Sequence, residues 1–345
     1  MHIAQSRRCF LAGTAAAGAA VLFGVPKSLH AEPPPETTAV RLAYSTWAGC
    51  TAAPYVAQDL LRAEGITDAR YVVPDWDKDM QQDSSVWIAR GETDFDFNFA
   101  PVSINAIDTG APITLLAGLH SGCLELIAHE GLNKITDLKG KSVGVDPWHA
   151  AAQLFLTLII DYVGLDPNND VHWVTAKSSA EAGSGAMELF IDGRIDAFLA
   201  TVPQQEILRS RKISHTILNT TLDHPWSDYY CCTIAGSSDY VSRHPVATKR
   251  VLRAFLKAAD LCVSAPKWVA QQLVERGFED KYELTVQTLA DIRYDRWREF
   301  DPEDTLRFYA LRMHEVGIVK SDPNKIIADG ADWRFLEELK RELKT

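Results

Sequence analysis

Cysteine is too scarce and too unevenly placed to hold this chain together. Of the 6 cysteines, Cys9 lies in an N-terminal apolar leader; the others are Cys50, Cys123, Cys231, Cys232 and Cys262. An odd set cannot form a complete disulfide framework. No pair has C-x-x-C or zinc-finger spacing. Nucleophile signatures such as Gly-x-Ser-x-Gly and His-Glu-x-x-His are missing, and Gly183-Ser184-Gly185 falls inside a helical pattern without partners. Runs of Lys and Arg are also missing, and the net charge is −11. That balance disfavours nucleic acid or an anionic membrane surface as the main partner. The longest apolar run, Leu11 to Val25, is too short to span a bilayer.

What is present at the N-terminus reads as an export signal. Ser6-Arg7-Arg8-Cys9-Phe10-Leu11 precedes the apolar run, and Ser28-Leu29-His30-Ala31 supplies small residues for cleavage near Ala31. The paired arginines with Phe-Leu resemble a bacterial twin-arginine signal. Residues 1–31 are therefore expected to be removed and the remainder to reside in the periplasm. Residues 32–39, Glu32-Pro33-Pro34-Pro35-Glu36-Thr37-Thr38-Ala39, read as an extended linker. Free cysteine often packs as a small buried hydrophobe, the expectation for Cys262. Cys231 and Cys232, as strand neighbours, should face opposite sides.

The remaining chain is 345 residues less its leader, 46% hydrophobic overall, enough for real cores. It carries an internal echo. Gly91-Glu92-Thr93-Asp94-Phe95-Asp96-Phe97-Asn98-Phe99-Ala100-Pro101 shares its Gly, Asp and Pro spacing with Gly193-Arg194-Ile195-Asp196-Ala197-Phe198-Leu199-Ala200-Thr201-Val202-Pro203. In each copy the Gly suits the left-handed position that ends a helix. A strand follows, Thr93 to Phe97 and Ile195 to Leu199, and the Pro suits the start of a new helix. Ala100 and Val202 offer no capping side chain, so the first amides beyond them are expected to be open to ligand or water. Upstream, Leu42-Ala43-Tyr44-Ser45-Thr46-Trp47 and Val143-Gly144-Val145-Asp146-Pro147-Trp148 are matching strand-to-loop segments. Two similar α/β lobes aiming strand ends at a shared cleft would produce this duplication.

Strands alternate with helices along Val40 to Ala235, which signals mainly parallel sheets. Expected helices include Ala52–Ala63, Trp76–Arg90, Pro101–Thr109, Ala150–Val163 and Ser179–Ile191. From Pro245 onward the pattern is helical throughout, and Asp301-Pro302-Glu303-Asp304 is a strong helix start.

Several pieces in order, Tyr44-Ser45-Thr46-Trp47-Ala48-Gly49, Gly91-Glu92-Thr93-Asp94, Gly110-Ala111-Pro112-Ile113, Asp137-Leu138-Lys139-Gly140-Lys141-Ser142-Val143-Gly144-Val145 and Gly193-Arg194-Ile195-Asp196-Ala197, resemble the solute-binding proteins of ABC importers. The group they resemble handles nitrate, sulfonates, taurine and the thiamine-precursor pyrimidine. The resemblance implies an α/β, two-lobe, type II periplasmic-binding fold with a hinge and a helical C-terminal extension. Lobe 1 would comprise 40–124 and 229–345, and lobe 2 would comprise 125–228. It further implies a small-molecule solute, a membrane permease as partner, a monomer and no cofactor.

By position, the loops after the strands should line the cleft. These supply Ser45, Thr46, Trp47, Asn98, Phe99, Ser121, Trp148, His149 and Thr201, with Phe97 and His120 nearby and Asp223, Trp226 and Asp228 from the return crossover. The set is aromatic and has no Lys or Arg. That favours a neutral or weakly cationic ring-containing molecule over an anion. Four alternatives to such a ligand site remain open: an anion binder of the nitrate or sulfonate type, a periplasmic sensor input, a pyridoxal-phosphate-dependent enzyme resembling the thiamine-pyrimidine branch, and, for each aromatic, simple packing within its own lobe. The enzyme is disfavoured, because Cys231-Cys232 is only a fragment of that branch's Cys-rich segment.

Overall fold

Two five-stranded sheets of the same topology organise the chain. This computed structural model describes residues 32–44, 50–73, 84–146, 150–176, 185–213 and 215–344, and everything below belongs to the unit 35–345. The strands are β1 (Ala39–Ala43), β2 (Asp68–Val72), β3 (Phe95–Phe99), β4 (Ile113–Ser121), β5 (Leu124–Ala128), β6 (Lys141–Val145), β7 (Val171–Thr175), β8 (Ala197–Thr201), β9 (Thr216–Asn219) and β10 (Tyr230–Ser237). The first sheet has the order β2-β1-β3-β10-β4 and the second β7-β6-β8-β5-β9. Within each, four strands run in one direction and the strand in the fourth position runs against them.

The antiparallel strand is in each case a guest. β10 returns from the second half of the chain to lie between β3 and β4. β5, entering that half, lies between β8 and β9. The chain therefore passes between sheets twice, at Ser121–Leu124 and at Asn219–Tyr230. Guest strand β5 and its neighbour β8 are buried at every position, as expected for central strands covered on both faces.

The duplicated Gly-x-x-Asp has a mechanical role that is the same in both copies. Gly91 and Gly193 take positive φ, 70° and 67°, and end the preceding helices. The next amides bond back, Glu92 N to Trp87 O and Arg194 N to Leu189 O, closing each helix end. The Asp then grips the neighbouring parallel strand of its own sheet, β1 or β6. Asp94 Oδ2 accepts from Arg41 N at 2.8 Å, and Asp94 N donates to Arg41 O at 2.7 Å. Asp196 Oδ2 accepts from Ser142 N at 2.8 Å, and Asp196 N donates to Ser142 O at 2.9 Å. Because the Asp is spent on this clamp, both strands start later than expected: β3 runs to Phe99 and β8 to Thr201.

Helices from Pro245 onward cover the first sheet. The helix Pro245–Ser264 buries Phe255 edge-on against Phe95 and Phe97, with ring centroids 6.0 and 5.1 Å apart. Cys262 is buried on the same helix, in line with the packing expected for it. Asp301 caps the helix Pro302–Glu315 by accepting from Glu303 N at 2.9 Å. Of the expected helix Trp76–Arg90, the described part is Ser85–Ala89, and of Ser179–Ile191 it is Gly185–Ile191.

Candidate functional site

Strand ends β3 and β8 bring the two copies of the repeat close to the crossovers. Asn98 is half-buried and partly spent locally: its Oδ1 accepts from Phe99 N at 2.8 Å and its Nδ2 donates to Ser84 Oγ at 3.2 Å. Asp96, beside it, is buried and accepts from Ser84 Oγ. Phe99 is half-buried and meets Phe155, on the helix Ala150–Tyr162 of the other sheet's half, with centroids 4.9 Å apart. Phe95, Phe97 and Phe99 share a strand face as expected, but only Phe95 and Phe97 meet Phe255. Phe99 instead bridges the halves.

Thr201, at the end of β8, is buried. Its amide and hydroxyl both donate to Gln204 Oε1, at 3.0 and 3.4 Å. That amide, on the strand and ahead of the helix, is spent locally; the helix Gln204–Ser210 beyond it has no side-chain cap on its first turn, as expected for the second copy. In the first copy the helix Ala100–Asp108 has no side-chain cap on its first turn. Ser121 is buried, and its backbone bridges Arg293 through N···O contacts of 3.4 and 3.2 Å.

The return crossover residues play other parts. Trp226 is only 2% exposed, ringed by Phe155 at 5.1 Å, Phe308 at 5.7 Å and Tyr309 at 6.4 Å. It is mortar between the helix Ala150–Tyr162 and the C-terminal helices rather than an open stacking face. Asp223 accepts from Asn219 N at 2.7 Å, and Asp228 pairs with His224 Nδ1 at 2.7 Å, both in exposed turn positions. These carboxylates hold the turn. Ser45, Thr46, Trp47, Trp148 and His149 lie outside the described residues.

Unexpectedly, the buried cysteines and one histidine converge beside these strand ends. Cys50, His120 and Cys123 form one group, and His120, Cys231 and Cys232 another, with the ligand-capable atoms of each group within 4.8 Å of one another. Cys123 and Cys231 bring their sulfurs to 3.0 Å. All five residues are buried. Cys231 and Cys232 were expected to face apart, yet both reach this spot. The ladder of β10 with β4 is irregular on either side of Cys232, between Tyr230 and Cys232 and again between Cys232 and Thr233, and a bulge re-aims side chains in this way.

Charge is shared unevenly in the cluster. Hydrogen bonding from Cys123 holds the Cys232 thiol well below its usual range and lowers Cys50. Burial pushes Cys123 and Cys231 well up. Burial acts to lower His120, but the charge of Cys232 and the neighbouring thiols overcome it and raise the imidazole to about 10.

A second buried acid lies on the helix Gln204–Ser210. Burial raises Glu206 to about 7, and both its oxygens lack hydrogen-bond partners. Arg209 on the same helix bonds Glu125 of β5 and, at 2.8 Å, Asp291 of the helix Tyr282–Asp291. Arg293, beside Ser121, pairs with Asp295 at 2.7 Å. These two guanidinium groups are thus already neutralised. A separate depression of about 300 Å³ lies at the far end of the helix Ala100–Asp108, near Asp108, Lys325 and Asp329, away from both crossovers.

Comparison with known proteins adds the following. The family described as NMT1/THI5 like matches residues 76–268, more than half of the chain. No curated protein matches the sequence. Among solved structures, the periplasmic nitrate-binding protein NrtA from Synechocystis PCC 6803 superposes with a TM-score of 0.72 at 14% identity, covering 90% of this chain and 90% of that one. The alkanesulfonate-binding protein SsuA from Xanthomonas axonopodis pv. citri, bound to MOPS, has a TM-score of 0.63 at 15% identity, covering 88% and 99%. The Candida albicans CA3427 product, described as having the generic periplasmic binding protein fold, has a TM-score of 0.62 at 12% identity, covering 85% and 96%. These likenesses establish the two-lobe type II fold.

Proposed function

The chain belongs to the NMT1/THI5-like family, and from that premise we propose that it is an extracytoplasmic solute-binding protein of an ABC importer, not an enzyme. A small molecule is captured between the two lobes, the lobes close on it, and the closed form is read by a membrane permease. The protein acts as a monomer in the periplasm after cleavage near Ala31. The observation that carries this reading is the double exchange of guest strands, which sets the ends of β3 and β8 beside the only two chain crossovers among the described strands. A ligand touching both ends has direct leverage on the hinge.

The solute class proposed is neutral or weakly cationic and ring-containing. Phe99 presents a half-buried ring at the end of β3, and among the described residues near the crossovers Arg209 and Arg293 are already paired with carboxylates. Asn98, Phe99, Ser121 and Thr201 are proposed contacts, joined by Ser45, Thr46, Trp47, Trp148 and His149 from the loops after β1 and β6. Asp223, Trp226 and Asp228 are assigned to the crossover instead.

Thermal-shift titration tests this. Pyrimidines, aromatic amines and aromatic acids form one panel; nitrate, taurine and alkanesulfonates form a second. A true ligand at 100 times its Kd stabilises the fold by about 2.7 kcal/mol. The expected result is a saturable rise in Tm from the first panel that Trp47→Ala weakens. Stabilisation by the second panel alone contradicts the ring assignment, and no response to either contradicts the binding role.

A further inference from the structure

The cysteine–histidine cluster is unused by the proposed solute site, and it has the make-up of a metal centre. We propose that Cys50, His120, Cys123 and Cys232 form a buried site for a thiophilic cation of the zinc type, placed at the hinge. The inference goes beyond solute capture and stands whether or not that reading holds.

Three independent observations carry it. First, ligand-capable atoms of Cys50, His120 and Cys123 lie within 4.8 Å of one another, and Cys232 shares His120 in a second such group. Donors around a tetrahedral zinc stand about 3.5–3.8 Å apart, given Zn–S near 2.3 Å and Zn–N near 2.0–2.1 Å. Small side-chain rotations close that gap. Second, His120 is fully buried and its ring nitrogens close no well-aligned hydrogen bond; the polar groups beside them are the thiols of Cys232 and Cys50. A buried imidazole faced only by weakly hydrogen-bonding thiols is costly unless something better occupies its lone pair. Third, Cys123 adopts φ 97°, a left-handed backbone that a side-chain-bearing residue rarely takes without a constraint. That conformation sits in the crossover between β4 and β5.

Packing as inert small hydrophobes accounts for one buried cysteine, such as Cys262, but not for four thiols meeting a fully buried histidine. The sulfur pair Cys123–Cys231, at 3.0 Å, is too close for both to ligate one tetrahedral ion, so Cys231 is left as a neighbour that hydrogen-bonds Cys123. Thiolate with imidazole is the donor mixture that selects soft and borderline cations over magnesium or calcium. Binding displaces thiol protons to solvent as metal–sulfur bonds form.

Position gives the site a consequence. Cys123 lies on the first crossover and Cys232 at the start of β10, just past the second. Cys50 precedes the helix Ala52–Val56, and His120 pairs with Cys232 across the β4–β10 ladder. A bound cation ties both crossovers to the first sheet and sets the stiffness of the hinge.

Cobalt(II) is the probe. The full chain, reduced and stripped with a chelator, is titrated with Co(II) and then with Zn(II). The expected result is one equivalent of Co(II) producing thiolate-to-metal charge-transfer absorption, displaced by one equivalent of Zn(II). Zn(II), unlike Mg(II), should also raise Tm saturably. Cys123→Ser and His120→Gln should each weaken affinity by more than about 100-fold, the upper range for losing a mere outer-shell contact. Cys262→Ser should bind normally. Should a ligand variant fail to fold, the wild-type spectrum and Tm decide by themselves. A wild-type chain with no charge-transfer band, or one that yields only a Cys123–Cys231 disulfide and takes up no metal after reduction, overturns the proposal; so does a band lost equally in Cys262→Ser.

Discussion

At the scale of single residues, Asp94 and Asp196 show how a short motif becomes architecture. Each accepts a backbone N–H from the neighbouring parallel strand of its sheet, and Asp94 also pairs with Arg41. Asp196→Ala strands the buried-side amide of Ser142 and should cost about 1–3 kcal/mol, read as a lower urea midpoint with unchanged m-value. The repeat was legible because Gly and Asp do local work at fixed spacing. The cysteine–histidine cluster was not, because its members come together only through tertiary folding and a bulge at Cys232. The one sequence hint was the doublet Cys231-Cys232 together with the His120-Ser121-Gly122-Cys123 spacing. Glu206 was equally invisible, since burial and not residue type raises it to about 7. Between the ordinary glutamate value and about 7 the folded chain holds a proton that the unfolded chain has released. Its contribution to stability is therefore intact below pH 4.5 and lost as pH rises to about 7. Glu206→Gln should remove this part of the pH dependence, raising stability at pH 8 by at most about 3 kcal/mol, as measured by urea denaturation at pH 5 and pH 8.

At the scale of elements, strands and helices followed their hydrophobic pattern, while their partners did not. Periodicity places β10 as a strand returning to the first half, but cannot say that it inserts between β3 and β4. The aromatic residues divide in the same way. Trp226 reads from sequence as a cleft residue, yet it is walled in by Phe155, Phe308 and Tyr309, because the crossover turn folds it under the C-terminal helices. Phe155 is 1% exposed and touches Phe99, Trp226 and Tyr309. Phe155→Ala should cost about 3–5 kcal/mol, seen in the urea midpoint. Gly118→Ala is harsh for a different reason: its new Cβ would fall 2.3 Å from the Tyr230 ring. That ring is tethered by its hydroxyl donating towards the carbonyls of Arg296 and Phe300. Overpacking of this kind should cost about 1–3 kcal/mol, seen as a lower Tm.

At the scale of the whole molecule, two like halves exchange one strand each, and every route between them passes Cys123 or the Asn219–Tyr230 turn. Phe99 on Phe155, and Arg209 on Asp291, are contacts between elements attached to different sheets. Relative motion of the halves must break or slide these contacts, so the proposed solute capture and the proposed metal site would share one small region. The most direct measurement is the native mass of the protein isolated from its source under non-denaturing conditions. Interlobe capture predicts one retained small molecule per chain, released on denaturation and ring-containing when identified. A mass that is bare after allowing for metal, from protein that no solute in either panel stabilises, contradicts it.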